Sequence, residues 1–331
     1  EFITRRLGRE ALEKAFEPYL AGTLASDPDR ANARAALPRL TNLEQRYGSI
    51  ALGVCARKLR RHSGPAIEPF SFEGGMATLI DALVAAPGIR LHTRRTVTQV
   101  EHDGNSWRVV SDSQQGERAV RARHLVLAVP APAAADLLAP RDAVLGELVR
   151  GIECASLVVV HFGFDRRAVT HPLNGMGFLV PRREGLPLTG CQWMSSLFPE
   201  RAPPGKVLLS AYLGGARAPD VLQWDDQRII AATLYALKPL LGLTAAPEMV
   251  HLERHPRALP LYYGAYQKRV RAIGDRLLGL PGLHLVGNYL GGLSTRDRII
   301  CAQAAARRVQ ALLANPEVGG FLPARPAAGV R

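Results

Sequence analysis

Residues 284–309 read HLVGNYLGGLSTRDRIICAQAAARRV, and their reading decides the fold. The apolar run 284–286 predicts a short strand. Gly287, Gly291 and Gly292 form a glycine-rich turn, and an alanine-rich helix is expected to open near Ser294. A strand, a glycine turn and a helix N-terminus in that order leave backbone N–H groups pointing outward with no acceptor inside the helix. The helix dipole adds positive potential there, and glycine lets a ligand approach the backbone closely. The arrangement suits an anionic or electron-rich ligand. An ordinary strand–helix turn carries the same signature, so the rest of the chain has to decide between them.

Working outward, residues 124–129 (HLVLAV) are continuously apolar, as in a strand buried on both faces of a parallel sheet. They end at Pro130-Ala131-Pro132 and lead into a helix near Ala133. Upstream, Phe72-Glu73-Gly74-Gly75-Met76 precedes a short helix over 77–85 and alternating strands over 89–93, 97–102, 106–110 and 118–120. Asp103-Gly104-Asn105 between the second and third of these is a hairpin turn. Residues 152–213 are strand-rich, with strands expected at 157–164, 177–180, 189–193 and 207–213. A helix over 224–241, a strand over 249–254 and a helix over 265–278 follow. The N-terminal part reads as two helices, 3–20 and 42–59, separated by Gly22 and the Ser26-Asp27-Pro28 turn. Residues 62–69 are rich in helix breakers, and the Pro/Ala/Gly-rich stretch 321–331 is expected to be disordered.

The 331 residues are 47% hydrophobic, enough for two domains with a substantial core. No apolar run reaches membrane-spanning length, and the opening EFITRRLGRE lacks the apolar stretch of a signal peptide. Cys55, Cys154, Cys191 and Cys301 are scattered, which argues against a zinc or redox motif and fits a reducing compartment. His251 and His255 are four apart, but on a strand that spacing holds them too far apart to chelate one ion. No metal is expected. The net charge of +13 comes almost wholly from arginine, and no basic stretch is interleaved with aromatic residues, which argues against a nucleic-acid partner. The densest cluster, Arg57, Lys58, Arg60 and Arg61, reads as a solvated helix end, with contact to an anionic membrane surface as the competing reading. The expected location is cytoplasmic, with peripheral contact at the inner membrane face left open.

The ordered set FEGGMATLIDAL, hairpin, HLVLAVPA, GMGFLVPRREG, HPRALPLYYG and LVGNYLGGLSTRDRI resembles the FAD-dependent protoporphyrinogen oxidases. These lie within the wider flavin amine oxidase and phytoene desaturase superfamily. The helical stretch 5–40 is similar to their substrate domain, and the resemblance runs from about residue 2 to 312. It implies an α/β, two-domain FAD/NAD(P)-binding flavoprotein fold, amine oxidase-like, with an interleaved substrate domain. The expected segments are 1–66 (helical part of the substrate domain), 67–134 (FAD-binding), 135–280 (strand-rich substrate domain), 281–314 (FAD-binding) and 315–331 (tail). FAD is the implied cofactor, and a tetrapyrrole is the implied small-molecule substrate. Val97 would lie beside the adenine, and Ala128 and Pro130 would end the strand behind the cofactor. Gly287, Asn288, Gly292, Leu293 and Ser294 would contact its pyrophosphate side and ring. Met176, Gly177 and Leu179 would line the substrate cavity, with Gly177 letting a flat macrocycle approach.

The implied reaction removes hydrides from a porphyrinogen to flavin N5, with O2 as final acceptor, as a step of heme biosynthesis. The sequence singles out no catalytic side chain, since the cofactor carries the chemistry. The G-x-G-x-x-G fingerprint is absent, and the resemblance places it upstream of Glu1, so the N-terminal Rossmann βαβ is expected to be missing and the chain alone to hold FAD poorly. Arg298 stands where the family has Cys, Ala302 where it has Gly, and Leu261 where it has Gln. Two other readings stay open: an amine oxidase or polyene desaturase on the same scaffold, with Tyr262, Tyr263 and Tyr289 as candidate aromatic partners, and an inactive fragment.

Overall fold

The computed structural model describes residues 1–60 and 70–314. In chain order it begins with helices α1 (Phe2–Leu7), α2 (Arg9–Ala11), α3 (Glu17–Leu24), α4 (Ala33–Ala36), α5 (Pro38–Tyr47), α6 (Ile50–Arg60) and α7 (Ala77–Val84). Strands β1 (Thr96–His102), β2 (Trp107–Asp112), β3 (Arg118–Ala122) and β4 (Leu125–Leu127) follow, then α8 (Ala131–Leu138) and α9 (Ala143–Arg150). Next come β5 (Cys154–Asp165), β6 (Gly177–Leu179), β7 (Leu188–Trp193), α10 (Met194–Leu197), β8 (Lys206–Gly214), α11 (Asp226–Leu241) and β9 (Met249–Pro260). The described chain closes with α12 (Tyr266–Leu277), β10 (Leu283–Leu285) and α13 (Thr295–Ala314). The breaker-rich 62–69, Arg61 of the basic cluster and the tail 315–331 lie outside the described residues.

The chain forms two compact units, one from Glu1–Ile89 and Cys154–Tyr262, the other from Arg90–Glu153 and Tyr263 onward. In the first, five antiparallel strands run in the order β6-β7-β8-β5-β9. Alternation sends Val158, Val160, Phe162 and Phe164 of β5, Leu209, Ala211 and Leu213 of β8, and Cys191 and Trp193 of β7 to one face. There they pack on Ile229, Ala236, Leu237 and Leu241 of α11. Asp225 caps α11 by accepting from the Arg228 N–H, and Gly242, in left-handed conformation, ends it.

The second unit holds an antiparallel meander β1-β2-β3 and a parallel pair β4-β10. The Asp103-Gly104-Asn105 turn forms as expected, with the Asp103 N–H donating to Ser106 O at 3.1 Å. Trp107, fully buried, donates from Nε1 to Pro281 O at 2.9 Å and so ties the meander to the approach of β10.

Several expectations are corrected. Residues 89–93 are not a strand: no neighbour pairs with them among the described residues, and Ile89 and Leu91 are exposed. The run 124–129 is not buried on both faces. Its strand spans three residues with one hydrogen-bonded neighbour among the described residues, and Val126 is 46% exposed. The helix expected over 42–59 is two helices, because Gly48 at φ 68° ends α5. That over 3–20 breaks at Gly8, φ 90°, and then passes through a π-turn over Leu12–Phe16. The unit boundaries also fall elsewhere than expected. Residues 135–153 and 263–280 join the β4-β10 unit because α8 and α9 cross closely at Ala139 and Gly146, and Arg276 of α12 donates to Asp142 Oδ2 at 2.9 and 2.7 Å. Described residues 70–89 join the other unit, where Arg201 donates to Ser71 Oγ and Phe72 O at 2.7 and 2.8 Å.

Candidate functional site

Two places carry the residues singled out from the sequence, one in each unit. In the second unit β4 and β10 run parallel in the register Leu125↔Leu283 to Leu127↔Leu285, and the Val286 N–H donates to Leu127 O at 2.9 Å. Their carboxyl ends therefore lie side by side. Ala128 and Pro130 leave one end, and Gly287 and Asn288 leave the other. The carboxyl ends of adjacent parallel strands are where open α/β sheets take their ligands. Val97 is not at this edge: it sits half-buried on β1, beside a bulge between Val97 and Gln99, in the separate meander.

The turn from Gly287 to Ser294 is built tightly. A Cβ at Gly287 would strike the Tyr289 ring, and one at Gly292, φ +76°, would strike the Asp297 carboxylate. Tyr289 is fully buried, and Tyr266 of α12 donates from its hydroxyl to Tyr289 O at 3.0 Å. Burial pushes the Tyr289 phenol up to about 12, so it stays neutral.

The free helix N-terminus expected here is half used up. Ser294 and Asp297 cap it reciprocally: the Asp297 N–H donates to Ser294 Oγ at 3.1 Å, and the Ser294 N–H donates to Asp297 Oδ2 at 3.2 Å. Only the Thr295 and Arg296 N–H groups remain without an acceptor among the described residues. The S-x-x-D spacing at 294–297 is a readable capping signal that the glycine-centred reading passed over.

Arg298, noted in the sequence only as a departure, turns back from the first turn of α13. It donates to the carbonyls of Gly287, Gly291 and Gly292, and its Nε has no partner among the described residues. The turn thus leaves two backbone N–H groups without an acceptor and open space at Gly291, where an added Cβ meets nothing, while the Arg298 guanidinium is turned inward onto the turn's own carbonyls. Unpaired helix N–H groups, with the Asp297 carboxylate engaged by the Ser294 cap and a half-buried arginine close by, fit the pyrophosphate or the electron-rich ring edge of a dinucleotide cofactor.

In the first unit, Met176 and Leu179 are 65% and 42% exposed, so simple core packing does not account for them. Gly177 has a reason within the sheet itself. Its φ is +136° and a Cβ would strike the Cys191 carbonyl, so the β6-β7 pairing itself demands glycine. Leu261 is buried, 7% exposed. A depression of about 510 Å3 in this unit is lined by Arg166, Leu173, Glu200 and Lys206, among others, but by none of the residues singled out above. Its cations are spoken for: Lys206 pairs with Asp165 and Glu248, and Arg166 donates to backbone carbonyls. Among the described residues no His/Cys/Asp/Glu group could hold a metal ion, and no helix is long and apolar enough to cross a membrane.

Strand-end ligand edge, glycine turn and capped helix define a nucleotide-cofactor-binding α/β protein. Residues 1–310 match the model of the flavin containing amine oxidoreductases, and the chain belongs to that family. It is 31% identical over 321 residues to the mitochondrial protoporphyrinogen oxidase of Nicotiana tabacum, covering 88% of this chain and 64% of that one. It is 27% identical to the coproporphyrinogen III oxidase of Bacillus subtilis (strain 168), covering 92% and 65%. A solved chain from Exiguobacterium sp. 255-15, assigned as a protoporphyrinogen oxidase, superposes with a TM-score of 0.78 at 26% identity, covering 94% of this chain and 66% of that one. Reduced UDP-galactopyranose mutase, at 12% identity and TM-score 0.66, shares the fold alone. The chain therefore has the two-domain flavoprotein fold and spans somewhat under two thirds of the length of these two curated relatives. FAD is the cofactor of the family.

Proposed function

We propose that the protein oxidises a porphyrinogen to the porphyrin, with FAD as cofactor and O2 as final acceptor. The observation that carries this reading is the β4-β10 edge opening on the glycine turn, in a chain similar to both protoporphyrinogen and coproporphyrinogen oxidases. Bound FAD supplies hydride acceptance from the substrate and return of the electrons to oxygen.

The chain's own residues bind and orient. The second unit serves the cofactor: Ala128 and Pro130 from one strand end and Gly287 and Asn288 from the other give the edge. Gly292, Leu293 and Ser294 shape the turn, and Val97 serves the adenine side. The Thr295 and Arg296 N–H groups and the Arg298 guanidinium favour negative charge on the flavin side. The first unit serves the substrate, with Met176 and Leu179 as exposed apolar side chains that shed water against a macrocycle and Gly177 between them. An amine oxidase reading needs an open aromatic face, whereas Tyr262, Tyr263 and Tyr289 are all buried. Leu52 and Leu59 stand exposed on α6 beside Lys58, which supports peripheral contact with an anionic membrane face.

The test is growth of porphyrin fluorescence after protoporphyrinogen or coproporphyrinogen is added to the purified, flavin-loaded protein. A rate above that of heat-killed enzyme is expected. No rise in a protein visibly yellow with flavin would keep the fold and discard the substrate.

A further inference from the structure

The sheet face opposite the α11 core carries a cross-strand order that the sequence does not display. Pairing places Gly177, Gln192, Ser210, His161 and His251 in one row across all five strands. Leu179, Gly190, Tyr212, Val159 and Glu253 form the next. Residues directly opposite one another share a face with Cα atoms about 5 Å apart. Gln192 is therefore the immediate neighbour of Gly177, and Tyr212 lies two strands from Leu179, across Gly190.

Gln192 is exposed, and its amide meets the hydroxyl of Tyr212. The Tyr212 hydroxyl donates to Gln192 Oε1 at 2.7 Å, and Thr189 Oγ1 donates to Tyr212 O at 3.2 Å. With Oε1 occupied, Nε2 faces outward with N–H donors that no described residue takes up. The row stays polar farther along, where Ser210 Oγ and His161 Nδ1 lie 2.7 Å apart and His161 stacks on His251.

A porphyrinogen offers such a donor few partners. Its pyrrole N–H groups are themselves donors, and its methylene bridges, methyl and vinyl groups are apolar. Its carboxylates are its hydrogen-bond acceptors. An amide donor beside Met176–Leu179 is matched by a carboxylate and mismatched by a vinyl group, which would bury the N–H groups without an acceptor.

We propose that Gln192, oriented by Tyr212, is a specificity-determining residue that selects a porphyrinogen with a carboxylate on every pyrrole ring, coproporphyrinogen, over protoporphyrinogen with its two vinyl groups. The inference rests on the proposed porphyrinogen reading and on β6 forming part of the substrate face.

Two readouts on the purified, flavin-loaded protein test it: kcat/KM for coproporphyrinogen III and protoporphyrinogen IX, and the affinities for the stable products coproporphyrin III and protoporphyrin IX, followed by tryptophan quenching. The wild type should prefer the tetracarboxylate in both. Gln192→Leu should lower the preference about tenfold, the scale of a hydrogen bond to a charged group. Gln192→Glu, which keeps the shape but puts a carboxylate in the donor's place, should lower it further. Tyr212→Phe, which frees the amide to turn, should lower it less.

Turnover of neither porphyrinogen overturns the oxidase reading, and the binding ratios then decide this inference by themselves. A wild-type preference for protoporphyrin, binding of neither porphyrin, or ratios unchanged in Gln192→Leu and Gln192→Glu would overturn it.

Discussion

Arg217 reaches back 200 positions to donate to the Glu17 carboxylate, and both side chains are almost wholly buried. Each partner makes a further bond: the Arg182 N–H donates to Glu17 Oε2 at 3.0 Å, and Arg217 Nη1 donates to Val180 O at 2.8 Å, while Arg217 Nε is buried without a partner among the described residues. Through it α3 holds the exit of β6, the strand that carries Gly177 and Leu179. Removing one partner of a buried pair leaves an uncompensated charge and costs about 3–5 kcal/mol. Glu17→Gln should therefore lower the urea midpoint strongly, while Glu13→Gln, which breaks the exposed pair with Arg9, should barely move it. Equal effects of the two substitutions would refute the clamp.

His284 gives the second unit an acid limit. It is buried on β10, 3.3 Å from the His124 ring nitrogen, and its pKa falls from 6.5 to about 4, chiefly through burial and then through His124 and Arg308. The folded state thus binds the proton less readily than the unfolded state. The stabilising contribution is complete above about pH 6.5 and is lost as pH falls toward about 4. Melting temperature followed from pH 8 to 4 should drop across that window, and His284→Leu should flatten the drop. An identical acid profile in the variant would assign the loss to other groups.

How far the sequence could be read depended on whether a signal was local. The hairpin at Asp103-Gly104-Asn105, the strands β5, β7 and β8 and the glycine turn all carry their own short-range chemistry, and they stand where expected. The strand expected at 89–93 failed because alternation sets which side a residue faces but cannot supply a hydrogen-bonded neighbour. Asp297 was legible as a capping residue and was passed over. Tyr266, which supports Tyr289 from 23 positions away, has no local signature. The Gln192–Tyr212 pair depends on the register between β7 and β8, which no spacing along the chain reveals. Gly177 was singled out for its small size toward a ligand, whereas its positive φ and the Cys191 carbonyl account for it within the sheet.

The cap on α13 makes a graded prediction. Ser294→Ala removes the acceptor for the Asp297 N–H and should cost about 1 kcal/mol. Asp297→Asn keeps an acceptor for the Ser294 N–H and loses only the favourable charge at the helix start, about 0.5 kcal/mol. Chemical denaturation of the two variants side by side checks the order. The reverse order would mean that the carboxylate, rather than the hydroxyl, sets the helix start.

The glycine turn makes the sharpest test of the cofactor edge. At Gly292 two demands coincide: φ is +76°, where a side chain costs about 1–2 kcal/mol, and a Cβ would displace the Asp297 carboxylate from the cap. Gly292→Ala should therefore disturb the Ser294–Asp297 cap and with it the direction of the Thr295 and Arg296 N–H groups. Flavin absorbance per purified protein should fall severalfold. Gly274→Ala is the control, since Gly274 is exposed within α12 and its added methyl meets nothing, so helix propensity should raise stability by up to about 1 kcal/mol with flavin content unchanged. Full flavin content in Gly292→Ala would show that the turn does not shape the cofactor edge.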